Sequence, residues 1–252
     1  IIDTMLKNKI LSALIESFGG RFYEIIIGGA AMNKEVETFL KKIGFPYTIG
    51  YGMTECGPII GYEDWSKHKL GSCGKTVPRM EVKIDSADPA KIVGEILVRG
   101  ANVMMGYYKN EEATKAAFTE DGWLRTGDLG LKDKNGNIYI KGRSKNMILG
   151  ANGQNIYPEE IEDVLNSLEY VNESLVKEDN GKLVALVFLD QDRLDSKHIS
   201  SSSYSEILEQ IKQQANSQLA NYEQLSAVFI HEEEFEKTPK RSIKRYLYTT
   251  KR

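Results

Sequence analysis

Cysteine, histidine, proline and tryptophan are all scarce in these 252 residues, at two, three, six and two. Cys56 and Cys73 form no CxxC pair, which argues against a disulfide framework and for a reducing, cytoplasmic setting. His68, His198 and His231 have no metal-ligand spacing, so zinc is not expected. Long apolar runs are missing as well. The longest, LVALVFL at 183–189, fits a buried strand and is far too short to span a membrane. Neither charge sign dominates: 33 basic residues stand against 36 acidic ones, and a net charge of −3 gives no global attraction to nucleic acid. The N-terminus, IIDTMLKNKI, has no initiator Met and no cationic-then-apolar signal pattern, and reads like the middle of a longer sequence. What remains, 41% hydrophobic and 27% charged, is ordinary globular composition with room for one large domain or two smaller ones.

Along the chain, IIDTMLKNKILSALIESFGG places Ile2, Leu6, Ile10, Leu14 and Phe18 at spacings of four, a helical face closed by Gly19-Gly20. YEIIIGGAA is a β-branched run ending in glycines. NKEVETFLKKIG puts Val36, Phe39, Leu40 and Ile43 on one helical face, with Asn33 as N-cap. PYTIGYGMTE reads as strand then glycine turn. This order predicts an α/β layer over residues 1–76, with ligand-binding loops at strand C-termini. Residues 77–143 carry short strands (MEVKI, GEILVRG, DLGLKDKNGNIYIKG) and a hairpin turn at KNGN, predicting a β-rich subdomain. Residues 144–252 predict an α+β domain. YPEEIEDVLNSLE starts a helix at Pro158 with Ile161, Val164, Leu165 and Leu168 inward. LVALVFL and LSAVFI are strands, YSEILEQIKQQANSQL is an amphipathic helix, and ISSSSYS is a loop or cap before it.

One motif is excluded. GSCGKT at 71–76 ends like a P-loop, but Gly71 and Gly74 enclose two residues where phosphate wrapping needs four, and no helical pattern follows. Four other stretches combine chemistry with turns. GGAAM at 28–32 lets backbone approach a flat ligand. GYGMTECGP at 50–58 sets an aromatic ring, a hydroxyl and a carboxylate within five residues, a set suited to a base, a phosphate and a hard cation. GWLRTGDLG at 122–130 places Asp128 in a Gly-Asp turn, able to accept from a ribose diol. GRSKNMILGANGQNIYPEEIE at 142–162 has Arg143 just after a strand and two glycines beyond. Each has a bland alternative: a plain glycine turn, a core tyrosine, a helix N-terminal acid, an Asx-turn, a surface ion pair. Near the C-terminus Glu232, Glu233, Glu234 and Glu236 precede Lys237, Lys240, Arg241, Lys244 and Arg245, which in isolation reads as a solvated charge run.

In this order, YGMTECGP, GWLRTGDLG, GRSKNMI…NGQNIYPEEIE and KTP…IKR resemble four signature motifs of the adenylate-forming family: acyl-CoA synthetases, luciferases and peptide-synthetase adenylation domains. The resemblance covers about residues 20–248. NGQNIYPEEIE and KTP..IKRYLY are most similar to long-chain fatty-acyl-CoA synthetases, as is a loop between Arg143 and Gly153 one residue longer than in short-chain and aryl relatives. The resemblance implies the C-terminal part of the large domain (α/β sheet plus a small β-barrel-like subdomain) followed by a small mobile α+β domain. Gly28, Gly29 and Ala30 would line adenine, with Tyr51 stacked on it beside Gly52. Thr54 would meet the phosphates, and Glu55 would hold Mg²⁺. Asp128 and Arg143 would bind the ribose hydroxyls. Lys145 matches the hinge about which the small domain swings between adenylating and thioester-forming poses, and Gly150 and Gly153 fall in the loop that guides the pantetheine arm of coenzyme A.

Two departures accompany the resemblance. The Ser/Thr/Gly-rich phosphate loop that lies upstream in the family is absent from these residues, so the expectation is a piece of a longer enzyme that is inactive alone. The family's C-terminal lysine, which contacts the acyl carboxylate and α-phosphate, falls on Ser242, and in an extended segment either Lys240 or Lys244 could reach the same place. The implied activity is ligation of a fatty acid to coenzyme A through an acyl-adenylate, with fatty acid, ATP and CoA as small-molecule substrates, no nucleic acid, and room for peripheral membrane contact by the whole protein. Two alternatives stand beside it: a family member using another acid or a carrier-protein acceptor, and a nucleotide-binding or interaction module without ligase activity.

Overall fold

The chain divides into two units, one running to Ser144 and the other beginning at Lys145. The computed structural model describes residues 2–29, 32–150, 152–239 and 241–249. In the first unit, α1 (Ile2–Ser17), β1 (Ile25–Ile27), α2 (Lys34–Ile43) and β2 (Tyr47–Ile49) form a small α/β layer. β1 and β2 are parallel, with Ile25 opposite Tyr47 and Ile27 opposite Ile49. α1 turns Ile10, Leu11, Leu14 and Ile15 onto Phe45, Tyr47 and Ile49, while Leu6 and Phe18 stand exposed. A row at strict four-residue spacing drifts around a helix of 3.6 residues per turn, which is why the expected face does not stay buried along its length.

α2 is capped as its sequence indicated. Asn33 accepts from the Glu35 and Val36 amides, and Gly44 closes the helix in a left-handed conformation. Its inner face differs from the expectation, because Val36 and Phe39 are exposed while Glu37 is buried. Glu37 accepts from the Gly71 amide at 2.9 Å and lies 3.1 Å from His68 Nε2, so a satisfied polar network takes the inward position.

Two open antiparallel sheets complete this unit. β3 (Tyr51–Gly52), β4 (Ile59–Tyr62) and β5 (Lys75–Thr76) form one. The other runs in the order β6 (Met80–Asp85), β7 (Gly94–Gly100), β8 (Leu124–Lys132), β9 (Ile138–Arg143), with α3 (Glu111–Ala117) inserted before β8. Alternate residues Val82, Ile84, Ile96, Val98, Leu124 and Ile138 share one core with Ile60, as period-two strands require. The KNGN segment does connect two strands: Asp133 Oδ1 accepts from the Asn135 and Asn137 amides at 2.9 Å, an Asx-type closure. GSCGKT leads into β5 instead of a helix, and Lys75 pairs with Glu63.

The second unit opens with a hairpin of β10 (Ile148–Leu149) and β11 (Asn155–Ile156), then α4 (Pro158–Asn166). β12 (Val171–Asp179), β13 (Lys182–Leu189), α5 (Gln191–Ser196), α6 (Tyr204–Asn216), β14 (Ala227–Ile230) and α7 (Tyr246–Thr249) follow. β12 and β13 are antiparallel, and β14 returns parallel to β13 after α6, as a crossover connection permits. Ile161 and Leu165 of α4 meet Val176, Ala185, Val187 and Ile211 in one core, with Val164 and Leu168 at its margin. Leu165→Ala is expected to destabilise this unit by about 2–5 kcal/mol, the range for truncating a fully buried leucine. Leu149→Ala, at an exposed position, should stay within about 0.5 kcal/mol in the same urea titration.

Candidate functional site

The first group of site residues converges on β8. Asp128 is a strand residue here, not the turn residue its Gly-Asp sequence suggested. Glu95 pairs with Leu129 and Leu97 with Arg125, so three residues of β8 oppose Ile96 alone, and Gly127 within them has φ of 69°. This is a bulge, and bulges re-aim side chains. Asp128 sits directly opposite Arg143 on β9, and the Arg143 guanidinium lies 3.0 Å from Asp128 Oδ1 while also donating to the Thr126 carbonyl at 3.2 Å. The Tyr51 hydroxyl donates to Asp128 Oδ2 at 2.7 Å. Its ring is 6% exposed, packed in the β-sheet core, so its visible contribution is to orient the carboxylate. Burial, and then the Asp128 charge, hold the Tyr51 phenol well above the ordinary tyrosine value.

Around this centre the glycines are sterically specified. A Cβ on Gly52 would lie 2.0 Å from the Pro58 carbonyl oxygen, and one on Gly28 would lie 3.2 Å from that of Gly50. Gly29 has φ of 90°, a conformation that suits glycine. Ala30, expected beside them, lies outside the described residues. Thr54 and Glu55 share a short 3₁₀ turn, Thr54–Cys56, leaving Thr54 exposed. The Tyr107 hydroxyl donates to Glu55 Oε1 at 3.1 Å, and burial followed by that hydrogen bond raises the Tyr107 pKa. Among the described residues no group of three or more His, Cys, Asp or Glu could hold a metal by itself.

The remaining site residues lie in the second unit. Lys145 is exposed in the turn Ser144–Asn146. Gly150 and Gly153 sit between β10 and β11, where the Gly150 amide donates to Gln154 and the Gly153 amide to Gly150. A Cβ on Gly150 would come within 3.1 Å of Ile156 Cδ1, a tight contact, and Gly153 has φ of 77°, so the hairpin favours glycine at 150 and calls for it at 153. The C-terminal lysine segment is a tight reversal and not the extended strand assumed from its sequence. Arg241 N–H donates to Thr238 O, Thr238 N–H to Ser242 O, and Lys237 bridges Ile243. Pro239 following Thr238 suits the turn, since its fixed φ matches the second turn position. The described residues on either side of position 240 are therefore paired with each other and not drawn out in one extended run. Lys240 lies outside the described residues, and Lys244 is on the returning arm, donating to Glu236 Oε2 at 3.1 Å. That hydrogen bond is the main cause raising the Lys244 pKa, so the amine is a standing positive charge.

The sequence reading gave no role to Glu162 or Arg245. Arg245 Nη1 donates to both Glu162 oxygens, at 2.6 and 2.8 Å, and its Nη2 donates to the Val176 carbonyl at 2.7 Å. Burial pushes the Glu162 carboxyl upward, and the guanidinium and the Val176 N–H pull it back. The signal was available: an acid between inward-facing Ile161 and Leu165 calls for a buried partner.

Residues 2–108 match the AMP-binding enzyme family, and residues 145–251 match the AMP-binding enzyme C-terminal domain. The chain belongs to the adenylate-forming, AMP-binding enzymes. It is 39% identical over 207 residues to long chain acyl-CoA synthetase 6, peroxisomal, of Arabidopsis thaliana, a match covering 78% of this chain and 29% of that protein. It is 40% identical over 181 residues to the 2-succinylbenzoate–CoA ligase of Bacillus pumilus, covering 69% and 36%. O-succinylbenzoate coenzyme A synthetase of Bacillus subtilis, solved with AMP, superposes with a TM-score of 0.76 at 29% identity, over 97% of this chain and 50% of that one. The same enzyme with ATP and magnesium ion gives 0.71 at 29% identity, over 94% and 49%. The chain thus spans about a third of these curated relatives and about half of the solved chains. Its α/β, β-rich and α+β parts are the C-terminal part of the adenylate-forming fold.

At the Tyr51–Asp128–Arg143 cluster, Tyr51→Phe should show a pH signature. The folded state holds the Tyr51 proton above the ordinary tyrosine value of 10.0, so the unfolded chain releases it first and stability falls as pH rises past that point. The deficit in Tm of Tyr51→Phe against wild type should therefore shrink between pH 9 and 11. A constant deficit contradicts the assignment. Gly52→Ala should lower Tm at every pH, because the Pro58 carbonyl must move.

Proposed function

We propose that this chain supplies the adenosine platform and the C-terminal lysine of an ATP-dependent acid–CoA ligase acting on long-chain fatty acids. The observation that carries the reading is Asp128, a nearly buried carboxylate aimed by a bulge and held by Tyr51 and Arg143, the arrangement a ribose diol needs from an acceptor. Gly28 and Gly29 bring backbone close enough for a flat base, and the exposed Thr54 hydroxyl can donate to phosphate. The Glu55 turn fits magnesium: the ion takes one or two carboxylates and completes its shell with water and substrate phosphates. Bound there, it would neutralise charge on the phosphates of ATP. Lys244, protonated throughout the physiological range, would offset charge where the carboxylate oxygen attacks the α-phosphorus and pyrophosphate leaves. In the second step the CoA thiolate attacks the acyl carbon and AMP leaves, with Lys145 as the pivot between poses and the Gly150–Gly153 loop beside the pantetheine arm.

The long-chain assignment is supported by the Arabidopsis relative and by the NGQNIYPEEIE and KTP..IKRYLY segments. The comparably similar 2-succinylbenzoate ligase names the competing acid. Two experiments test the reading. Calorimetric titration of AMP into this chain should show binding that Asp128→Ala weakens by about tenfold or more, the scale of a lost charge-assisted hydrogen bond. In the natural gene product, pyrophosphate release should depend on palmitate and not on 2-succinylbenzoate. The reverse preference would reassign the acid while leaving the nucleotide platform intact.

A further inference from the structure

We infer that α4 is a common positioning element for two lysines of the second unit, holding Lys145 through Glu159 and Lys244 through Glu162. The inference rests on the ligase reading of those lysines. Asn146, the residue after Lys145, donates from Nδ2 to Glu159 Oε1 at 2.6 Å. Arg245, the residue after Lys244, grips Glu162 with both carboxylate oxygens. Glu159 and Glu162 are three apart on one helix, hence on neighbouring turns of one face. That helix does not rock freely, since Ile161 and Leu165 are fully buried in the core and Glu162 also accepts from the Val176 amide at 2.6 Å.

Each tether acts on the neighbour of a lysine, not on the lysine. Arg245 reaches inward to Glu162 while the adjacent Lys244 reaches to the exposed Glu236, so the two neighbouring side chains diverge at the turn that opens α7. The Lys244 amide donates to Glu236 O at 2.8 Å, which fixes the backbone that carries it. At the other tether, Glu159 Oε2 is sealed from solvent with no hydrogen-bond partner among the described residues, which leaves Oε1, where Asn146 donates, as the oxygen through which this carboxylate is held. Neither carboxylate touches a ligand in this assignment. They set the register in which the two amines are presented.

The test uses amide hydrogen exchange of the unliganded chain and the ratio of its affinities for AMP and adenosine. Glu162→Gln should accelerate exchange roughly tenfold in residues 241–249 and Glu159→Gln in residues 145–149, each leaving the other segment unchanged because the helix between them is locked in the core. Unchanged exchange in a variant's own segment overturns that tether, and acceleration in both segments overturns the fixed helix. Glu162→Gln should also reduce the preference for AMP over adenosine by about tenfold, matching Lys244→Ala, because only AMP carries the phosphate that the amine would meet. Glu162→Asp, which keeps the charge, should restore most of that preference and guards against a loss due to misfolding. An unchanged ratio in Glu162→Gln overturns the positioning role. Equal wild-type affinity for AMP and adenosine overturns the ligase reading of Lys244 and the positioning role with it, whereas the exchange data decide the tethers by themselves.

Discussion

A carboxylate withdrawn from water must be held by partners, and the first unit is organised around that requirement at Asp128. The β8–β9 register sets Arg143 opposite it, the bulge at Thr126–Asp128 turns it, and the Tyr51 hydroxyl closes the other oxygen. Each of these rests on something further away. Tyr51 is placed by β3, whose Gly52 can be only glycine because of the Pro58 carbonyl, and Pro58 belongs to the same loop as Thr54 and Glu55. The base, ribose and phosphate contacts proposed for this unit are therefore not independent side chains on a scaffold. They are consequences of two strand registers and one backbone contact.

The second unit repeats the device with opposite sign. There the buried group is Glu162, its partner is the guanidinium of Arg245, and what is presented outward is a cation instead of an anion. Arg suits this place because its fork satisfies both carboxylate oxygens and still reaches the Val176 carbonyl, which a lysine could not do. A pair of this kind contributes little net stability compared with apolar packing, but removing one member is severe, which makes it effective for fixing geometry.

Much of this was legible in the sequence. The Asn33 cap, Pro158 at the start of α4, the buried Ile161 and Leu165, and the strands at 183–189 and 227–230 follow from local pattern. The motifs carried the family. What failed has identifiable causes. Glu37 displaced Val36 and Phe39 from the inner face of α2 because His68 and the Gly71 amide, thirty residues on, complete its hydrogen bonds. Asp128 looked like a turn residue because a bulge and a turn both call for glycine before it. β12 was not anticipated because VNESLVKED alternates too many polar residues, and its Lys177 and Glu173 serve the C-terminal segment instead of solvent. The lysine segment looked extended because Pro239 alone does not announce that Thr238 and Ser242 pair.

The central claim is that Asp128, held by Tyr51 and Arg143, reads a ribose. The most direct measurement is the affinity of this chain for AMP and for 2′,3′-dideoxy-AMP, in wild type and in Asp128→Asn. The account predicts that removing the hydroxyls weakens wild-type binding by about tenfold and Asp128→Asn binding hardly at all, since the partner that senses them is already gone. Equal weakening in both proteins would show that the hydroxyls are read elsewhere, and would contradict the account.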